Sequence, residues 1–182
     1  MILHRCFAWD RRAAPAEPGG ALCFPRAFQG DGRHDNPEVY GCLYLSGIAV
    51  AAVVEQLARF RGSVLVPGIL LRRGLPLALA TIELDEPAAL VDLDDPVVLA
   101  AHALRPSRVA TRRREVTQPQ ALAIHAGGAD GIRWWSTFES LWANVTLFDR
   151  AAGRLRLLET RVAALTEAPV REASELLGIA PA

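Results

Sequence analysis

GRHDNPEVYGCLYLSGIAVAAVVEQLARFRG, residues 32–62, predicts a loop, a strand and a helix in direct succession. The polar segment 29–38 contains two glycines, an Asn-Pro pair and four charged side chains, which is typical of a loop. Residues 39–46 are mostly apolar and include two tyrosines, a composition typical of a strand. Ser46 is placed to cap a helix over about 47–60, and the glycine that closes the stretch is placed to end it.

The remaining sequence predicts further strands and helices in irregular alternation. Strands are predicted over 1–9, 63–71, 77–84, 132–136, 145–148 and 155–158, the last of which could extend through 161–166. Helices are predicted over 97–104, 118–126 with Thr117 as cap, and 169–177. This order favours an α+β fold, a single mixed domain over residues 1–182 with a central, partly antiparallel sheet, over a doubly wound sheet.

Composition narrows the class of protein. The chain has 182 residues, is 51% hydrophobic and carries a formal net charge of zero, so we expect one domain with a sizeable core. The charge balance argues against nucleic acid as the main partner. The N-terminus lacks a signal-peptide pattern, and the longest apolar run, 45–54, is too short to span a membrane, so we expect a cytoplasmic protein.

Cysteine and histidine are too scattered to predict a disulfide framework or a metal site. The odd number of cysteines and the absence of ligand-like spacing leave no metal to be expected. These residues are Cys6, Cys23, Cys42, His4, His34, His102 and His125.

Arg33, Tyr44 and Glu55 form the first candidate constellation. Arg33 lies in the glycine-containing loop, Tyr44 on the following strand, and Glu55 within an apolar helix. A carboxylate on the buried side of a helix is costly unless it is paired, so such a group is a candidate functional residue. The alternative is structural: Arg33 on a solvated loop, Tyr44 half in the core, and Glu55 on the exposed stripe of its helix.

A second constellation lies at the predicted strand 132–136. Trp134 and Trp135 should point to opposite faces, with one in the core and the other lining a cleft, and Ser136 should lie at the strand end. The alternative is a core tryptophan beside an ordinary hydroxyl. No Gly-x-Ser-x-Gly motif surrounds Ser136, so a hydrolase nucleophile is not supported, and no phosphate-binding glycine motif is present.

All 20 basic residues are arginines, and several cluster in the second half of the chain. Arg105 and Arg108 precede the consecutive run Arg112–Arg114. Such a cluster can bind an acidic partner or a nucleotide phosphate, or it can simply be a solvated face. The sequence leaves these readings open.

These segments together resemble the RES domain, a family named for an Arg, a Glu and a Ser. The resemblance rests on residues 32–62, on TQPQALAIHAGGADGIRWWS at 117–136, on Asn144 with the following Leu-Phe pair, and on the early His-Arg pair that ends at Arg5. It spans about residues 4–165. Many members have Gly-Arg-Trp-Asn where this chain has Gly-Arg-His-Asp-Asn, so the usual aromatic residue is replaced here.

The resemblance implies an ADP-ribosyltransferase-like fold and assigns roles to particular residues. The family's Arg, Glu and Ser fall on Arg33, Glu55 and Ser136, which are expected to be catalytic. Glu55 would stabilise an oxocarbenium-like transition state, or alternatively orient the ribose or the attacking nucleophile. Arg33, together with Arg5, would hold a pyrophosphate, and Ser136 would hydrogen-bond the nicotinamide amide or the ribose. The expected substrate-binding residues are Arg5, Tyr44, Trp135 and Asn144.

The resemblance also implies an activity and a partner. The expected activity is that of a bacterial toxin that cleaves the nicotinamide–ribose bond of NAD by hydrolysis or phosphorolysis, with NAD as substrate and no further cofactor. A protein ADP-ribosyltransferase and a non-catalytic partner- or nucleotide-binding protein are the alternatives. The expected partner is an Xre-like antitoxin, and a homo- or hetero-oligomeric state is left open.

Overall fold

The computed structural model describes residues 1–85 and 88–181, and Glu86, Pro87 and Ala182 lie outside the described residues. The strands are β1 (Ile2–Ala8), β2 (Cys42–Ser46), β3 (Val64–Leu65), β4 (Leu71–Arg72), β5 (Leu75–Leu84), β6 (Leu90–Asp92), β7 (Gly131–Trp135), β8 (Ala143–Phe148), β9 (Leu155–Val162) and β10 (Ala180–Pro181). The α-helices are α1 (Ala49–Leu57), α2 (Pro96–Ala101), α3 (Pro106–Val109), α4 (Arg114–Ala126) and α5 (Ala168–Leu176). Short 3-10 helices cover Arg26–Phe28, Ala58–Phe60, Pro67–Leu70 and Asp149–Arg154.

The chain forms two compact units, each assembled from segments that are distant in sequence. The first unit comprises residues 1–23, 46–83 and 156–182, and the second comprises residues 24–45 and 84–155. Both units combine strands with helices, which confirms the predicted α+β class. The expectation of a single domain over residues 1–182 stays a prediction, and its last residue lies outside the described part.

The first unit is built on the antiparallel pairing of β1 with β5. The register runs from Ile2 opposite Glu83 to Ala8 opposite Leu77, and β5 also pairs with β4 and β9. Helix α1 packs on β1 and on α5. The apolar run of α1 is long enough to bury most of the helix, and its buried residues are Val50, Ala51, Ala52, Val53, Val54 and Leu57.

The second unit contains a mixed sheet with the strand order β2-β8-β7-β6. β7 pairs antiparallel with β8 and parallel with β6, which confirms the prediction of a partly antiparallel sheet. Helix α4 packs against β7. The core includes Tyr40, Leu93, Ile124, Ile132 and Phe148, and it holds the elements that carry the candidate site.

The predicted cap at Ser46 is wrong. Ser46 is the last residue of β2 and pairs with His4, so its backbone is extended, and α1 begins three residues later. Ile48 occupies the N-cap position and makes no side-chain cap hydrogen bond. The predicted end is confirmed: a 3-10 turn extends α1 to Phe60, and Gly62 then adopts a φ of +75° that favours glycine.

Three other boundaries differ from the predictions. The strand expected from residue 39 begins at Cys42, because a tight turn bridges Asn36 to Tyr40. The strand expected over 63–71 is interrupted by the 3-10 helix that Pro67 starts, since proline has no N–H for a strand ladder. The helix expected from residue 118 begins four residues earlier.

The other predicted elements are confirmed within a few residues at each end. Asp95 caps α2 by accepting a hydrogen bond from the Val97 N–H, as expected of an Asp before a proline at the first helical position. Among the described residues, no helix combines the length and the apolar character that crossing a bilayer requires.

The close approach of β7 and β8 predicts that Gly131 tolerates no side chain. A Cβ at this position would lie 2.4 Å from the backbone oxygen of Thr146. We expect Gly131→Ala to lower the free energy of unfolding by roughly 1–3 kcal/mol, measured by urea denaturation. Gly153→Ala is the control, because nothing lies within 4 Å of a Cβ at that position; an equal loss in both variants would contradict the prediction.

Candidate active site

The loop that follows the 3-10 helix Arg26–Phe28 is organised around the carboxylate of Asp35. Its Oδ2 accepts hydrogen bonds from the backbone N–H groups of Gly30 and Gly32, at 2.9 and 2.7 Å. Its Oδ1 accepts one from the Tyr44 hydroxyl at 2.6 Å. A Cβ at residue 32 would lie 2.4 Å from Asp35 Oδ1, so the approach requires glycine. Asp35 therefore ties the loop to the strand β2 that carries Tyr44.

Helix α4 holds the same loop from another side. The Gln118 amide donates to the carbonyls of Gly30 and Gly32, at 2.8 and 3.0 Å. The Thr117 hydroxyl donates to the Arg33 carbonyl, and the Arg114 Nε donates to a further loop carbonyl at 2.6 Å. Thr117, predicted to cap this helix, thus lies within it and binds the loop instead.

The side chain of Arg33 points into the protein. Its Nη1 donates to the carbonyl of Val109 at 2.8 Å and to that of Thr111. Its guanidinium lies over the ring of Trp134, 4.5 Å from the centroid, and only 8% of the residue is exposed. The alternative of a solvated loop arginine is therefore wrong. A role of Arg33 toward a ligand stays a prediction.

The hydroxyl of Tyr44 is engaged on both sides. It accepts a hydrogen bond from the backbone N–H of His34 at 2.9 Å and donates its one proton to Asp35. Burial, together with the neighbouring Cys42 and Asp35, raises the pKa of Tyr44 well above its usual value, so the phenol stays neutral. Tyr44 is half-buried, as its structural alternative expected.

The ring of His34 packs among aromatic side chains. It lies edge-on to Trp134, at 5.4 Å between centroids, and stacks more distantly with Tyr44. Its Nδ1 shares a hydrogen bond of 2.8 Å with Thr146 Oγ1, which also accepts from the Trp134 indole. Burial, and then the charges of two nearby arginines, lower the pKa of His34 to about 3.

Ser136 immediately follows β7 and starts a loop. Its Oγ accepts a hydrogen bond from the Phe138 N–H at 3.1 Å, and its own N–H donates to the Trp142 carbonyl at 2.8 Å. Trp134 is buried and Trp135 is half-buried, in keeping with the predicted opposite faces. The position of Ser136 at the strand end is confirmed.

Asn144 is buried on β8, where it lies opposite Trp134 in the register of β7 and β8. Asn144 is one of five predicted site residues that belong to the second unit. These five are Arg33, Tyr44, Trp135, Ser136 and Asn144.

The other two predicted site residues, Arg5 and Glu55, belong to the first unit. Arg5 Nη1 donates to the carbonyls of Gly20 and Ala21, at 3.1 and 2.6 Å, and burial lowers the pKa of Arg5 to about 10. Glu55 is exposed on α1. This is the position that the structural alternative for Glu55 expected, on the exposed stripe of its helix.

Comparison with known proteins identifies the family. The model of the RES domain matches residues 2–167. The chain belongs to the RES domain family. In structure, this RES domain resembles a chain in the crystal structure of the M. tuberculosis MbcT–MbcA toxin–antitoxin complex, with a TM-score of 0.66 and 18% identity over 97% of this chain and 88% of that chain. That likeness shows a shared fold. No curated protein matches the sequence.

Several residues that shape the site of this RES domain were not predicted from its sequence. Asp35, Thr117 and Gln118 hold the loop, and Thr146 joins His34 to Trp134. The one available signal was an aspartate inside a glycine-containing loop, where its carboxylate can accept backbone N–H groups. Across residues 1–85 and 88–181, no group of three or more His, Cys, Asp or Glu side chains is arranged to hold a metal ion.

The lowered pKa of His34 predicts a stability that depends on pH. The folded pKa of about 3 lies below the ordinary value of 6.5, so unfolding takes up a proton and stability falls as the pH drops between these values. We expect this residue to contribute a slope of about 1.4 kcal/mol per pH unit, measured as the difference between wild type and His34→Gln. If the variant does not fold, NMR of wild-type His34 replaces it: a ring resonance that titrates near its ordinary pKa would contradict the prediction.

The Asp35–Tyr44 contact predicts strong coupling between these two side chains. Tyr44→Phe removes the hydroxyl that the His34 N–H donates to and that donates to Asp35 Oδ1, while Oδ2 keeps its two glycine N–H donors. We therefore expect a loss of roughly 1–3 kcal/mol in the free energy of unfolding. Asp35→Asn should cost a similar amount, and the double variant should cost clearly less than the sum. Denaturation of all four proteins measures this, and additive losses would show that the two residues act independently.

Proposed function

We propose that this RES domain is the toxin of a toxin–antitoxin pair and consumes NAD by cleaving its nicotinamide–ribose bond. The observation that carries the proposal is the family match over residues 2–167, a range that includes Arg33, Glu55 and Ser136. It is supported by the common location of Arg33, Tyr44 and Ser136 in the second unit, where the Trp134 ring contacts the Arg33 guanidinium and the His34 ring.

The proposed reaction breaks the bond between the ribose C1′ and the nicotinamide nitrogen. The bonding electron pair leaves with nicotinamide, which becomes neutral, and an oxygen of the acceptor bonds to C1′ and gives up a proton when the acceptor is water. The transition state resembles an oxocarbenium ion, which a nearby carboxylate stabilises. We assign this role to Glu55 because the Glu of the RES family falls on this position in the sequence resemblance.

The second unit suggests how its residues would serve this reaction. The Tyr44 hydroxyl already donates to Asp35, so its ring face, rather than its proton, is what it offers to a nicotinamide. Trp135 is half-buried and offers a second aromatic wall. Ser136 and Asn144 supply polar groups for the amide or the ribose. Arg33 fixes the backbone at Val109 and Thr111.

An antitoxin is the partner that we propose. The structural neighbour comes from a toxin–antitoxin complex, and the RES domain shares its fold. The zero net charge of this chain gives no basic surface excess for DNA, so DNA binding is assigned to an Xre-like antitoxin. A cytoplasmic location is part of this proposal.

The proposed catalytic carboxylate predicts a large loss of activity in Glu55→Gln. We expect nicotinamide release from NAD to fall at least about a hundredfold, because the amide carries no charge to stabilise the transition state. Chromatography of nicotinamide with time measures it. Glu175→Gln is the matched control, since Glu175 is likewise exposed on a helix, and it should retain wild-type release.

The same assay separates the alternatives. Release of nicotinamide together with labelled ADP-ribose on protein would favour a protein ADP-ribosyltransferase. If the protein binds NAD but releases no nicotinamide, whether water alone or added phosphate is the acceptor, the proposed reaction is overturned and a non-catalytic binding protein is favoured. Equal release from wild type, Arg33→Ala and Glu55→Gln would refute the assigned site.

A further inference from the structure

The buried side chain of Arg33 fixes the segment that leads into the run of three arginines. Its Nη1 binds the carbonyls of Val109, at the end of α3, and of Thr111. Thr111 directly precedes Arg112. The arginine run therefore starts at a backbone position that the family's motif arginine holds in place.

The three arginines differ in what their guanidinium groups contact. Arg113 forms a salt bridge of 2.7 Å with the glutamate two positions on. Arg114 donates to the carbonyls of Asp31 and Arg112, at 2.6 and 2.7 Å. In the part of the chain that the structure describes, the Arg112 guanidinium has no hydrogen bond or salt bridge; it lies over the Phe138 ring, 5.6 Å from the centroid. Its N–H donors are therefore available to a ligand.

Phe138 connects this cation to Ser136. The Phe138 N–H donates to Ser136 Oγ at 3.1 Å, and its ring supports the Arg112 guanidinium. Arg112 is thus flanked by Arg33, through the Thr111 carbonyl, and by Ser136, through Phe138. Arg33 and Ser136, which are 103 positions apart in sequence, are therefore each connected through one neighbouring residue to the exposed guanidinium of Arg112.

We propose that Arg112 binds the diphosphate of a dinucleotide substrate, an inference that rests on the proposed function. A guanidinium binds phosphate oxygens through two parallel charge-assisted hydrogen bonds. The aromatic ring positions the group without using its N–H donors. Arg33, whose guanidinium is buried against carbonyls and Trp134, then acts as the positioning residue for this segment.

This site predicts a loss of substrate affinity in Arg112→Ala. We expect KM for NAD to rise roughly tenfold with kcat nearly unchanged, because the diphosphate contact is the same in ground and transition states. The ratio of the variant KM to the wild-type KM should decrease at high salt, which screens the charges involved. Arg112→Lys should restore part of the affinity for NAD. Arg113→Ala is the matched control: it removes a neighbouring arginine that is already paired, and it should keep the wild-type KM.

Calorimetry with ADP-ribose, which has the diphosphate but no nicotinamide, tests the site without turnover. Arg112→Ala should weaken its binding by about the same factor as KM, whereas inhibition by free nicotinamide should not change. Equal ADP-ribose binding by wild type, Arg112→Ala and Arg113→Ala, with normal NAD cleavage, would overturn this inference alone. If Arg112→Ala binds ADP-ribose more weakly than wild type but wild type does not cleave NAD, the Arg112 site is supported and the proposed reaction is overturned. If wild type neither binds ADP-ribose nor cleaves NAD, both proposals fall.

Discussion

A buried carboxylate sets the conformation of the candidate site. Asp35 is only 4% exposed, and a group of this kind is costly to bury unless hydrogen-bond donors surround it. Two glycine N–H groups and the Tyr44 hydroxyl supply those donors. The loop must therefore curl around Asp35. That curl leaves the loop carbonyls facing α4, where Gln118 and Thr117 bind them.

The same curl decides where the neighbouring side chains go. Arg33 is directed to backbone carbonyls and to Trp134, and His34 to Thr146. Charge and aromatic packing then act together: the arginine lies over one indole, and the neutral imidazole meets that indole edge-on. Several polar groups of the loop consequently already have hydrogen-bond partners within the protein.

Much of the fold was predictable from local pattern, because apolar runs and turn residues mark elements directly. The strand from Gly131, the terminal helix and the stop at Gly62 follow from such patterns. Boundaries set by longer-range contacts were not predictable. Ser46 has a hydroxyl that could cap a helix, but its backbone is held extended by pairing with His4. The Thr117 hydroxyl binds the carbonyl of Arg33, 84 residues away, instead of capping its helix. For the site, sequence resemblance indicated which residues to consider, while the inward turn of Arg33 and the outward turn of Glu55 depend on packing and helix phase.

Arg33 binds the segment at Val109 and Thr111 through their backbone oxygens. Every residue type has such an oxygen, so the anchor does not depend on the side chains at those positions. Mutations can therefore alter the outward-facing side chains of this segment while its path stays fixed. The fold in this way separates the contacts that maintain the path of this segment from the side chains that can vary without disturbing it.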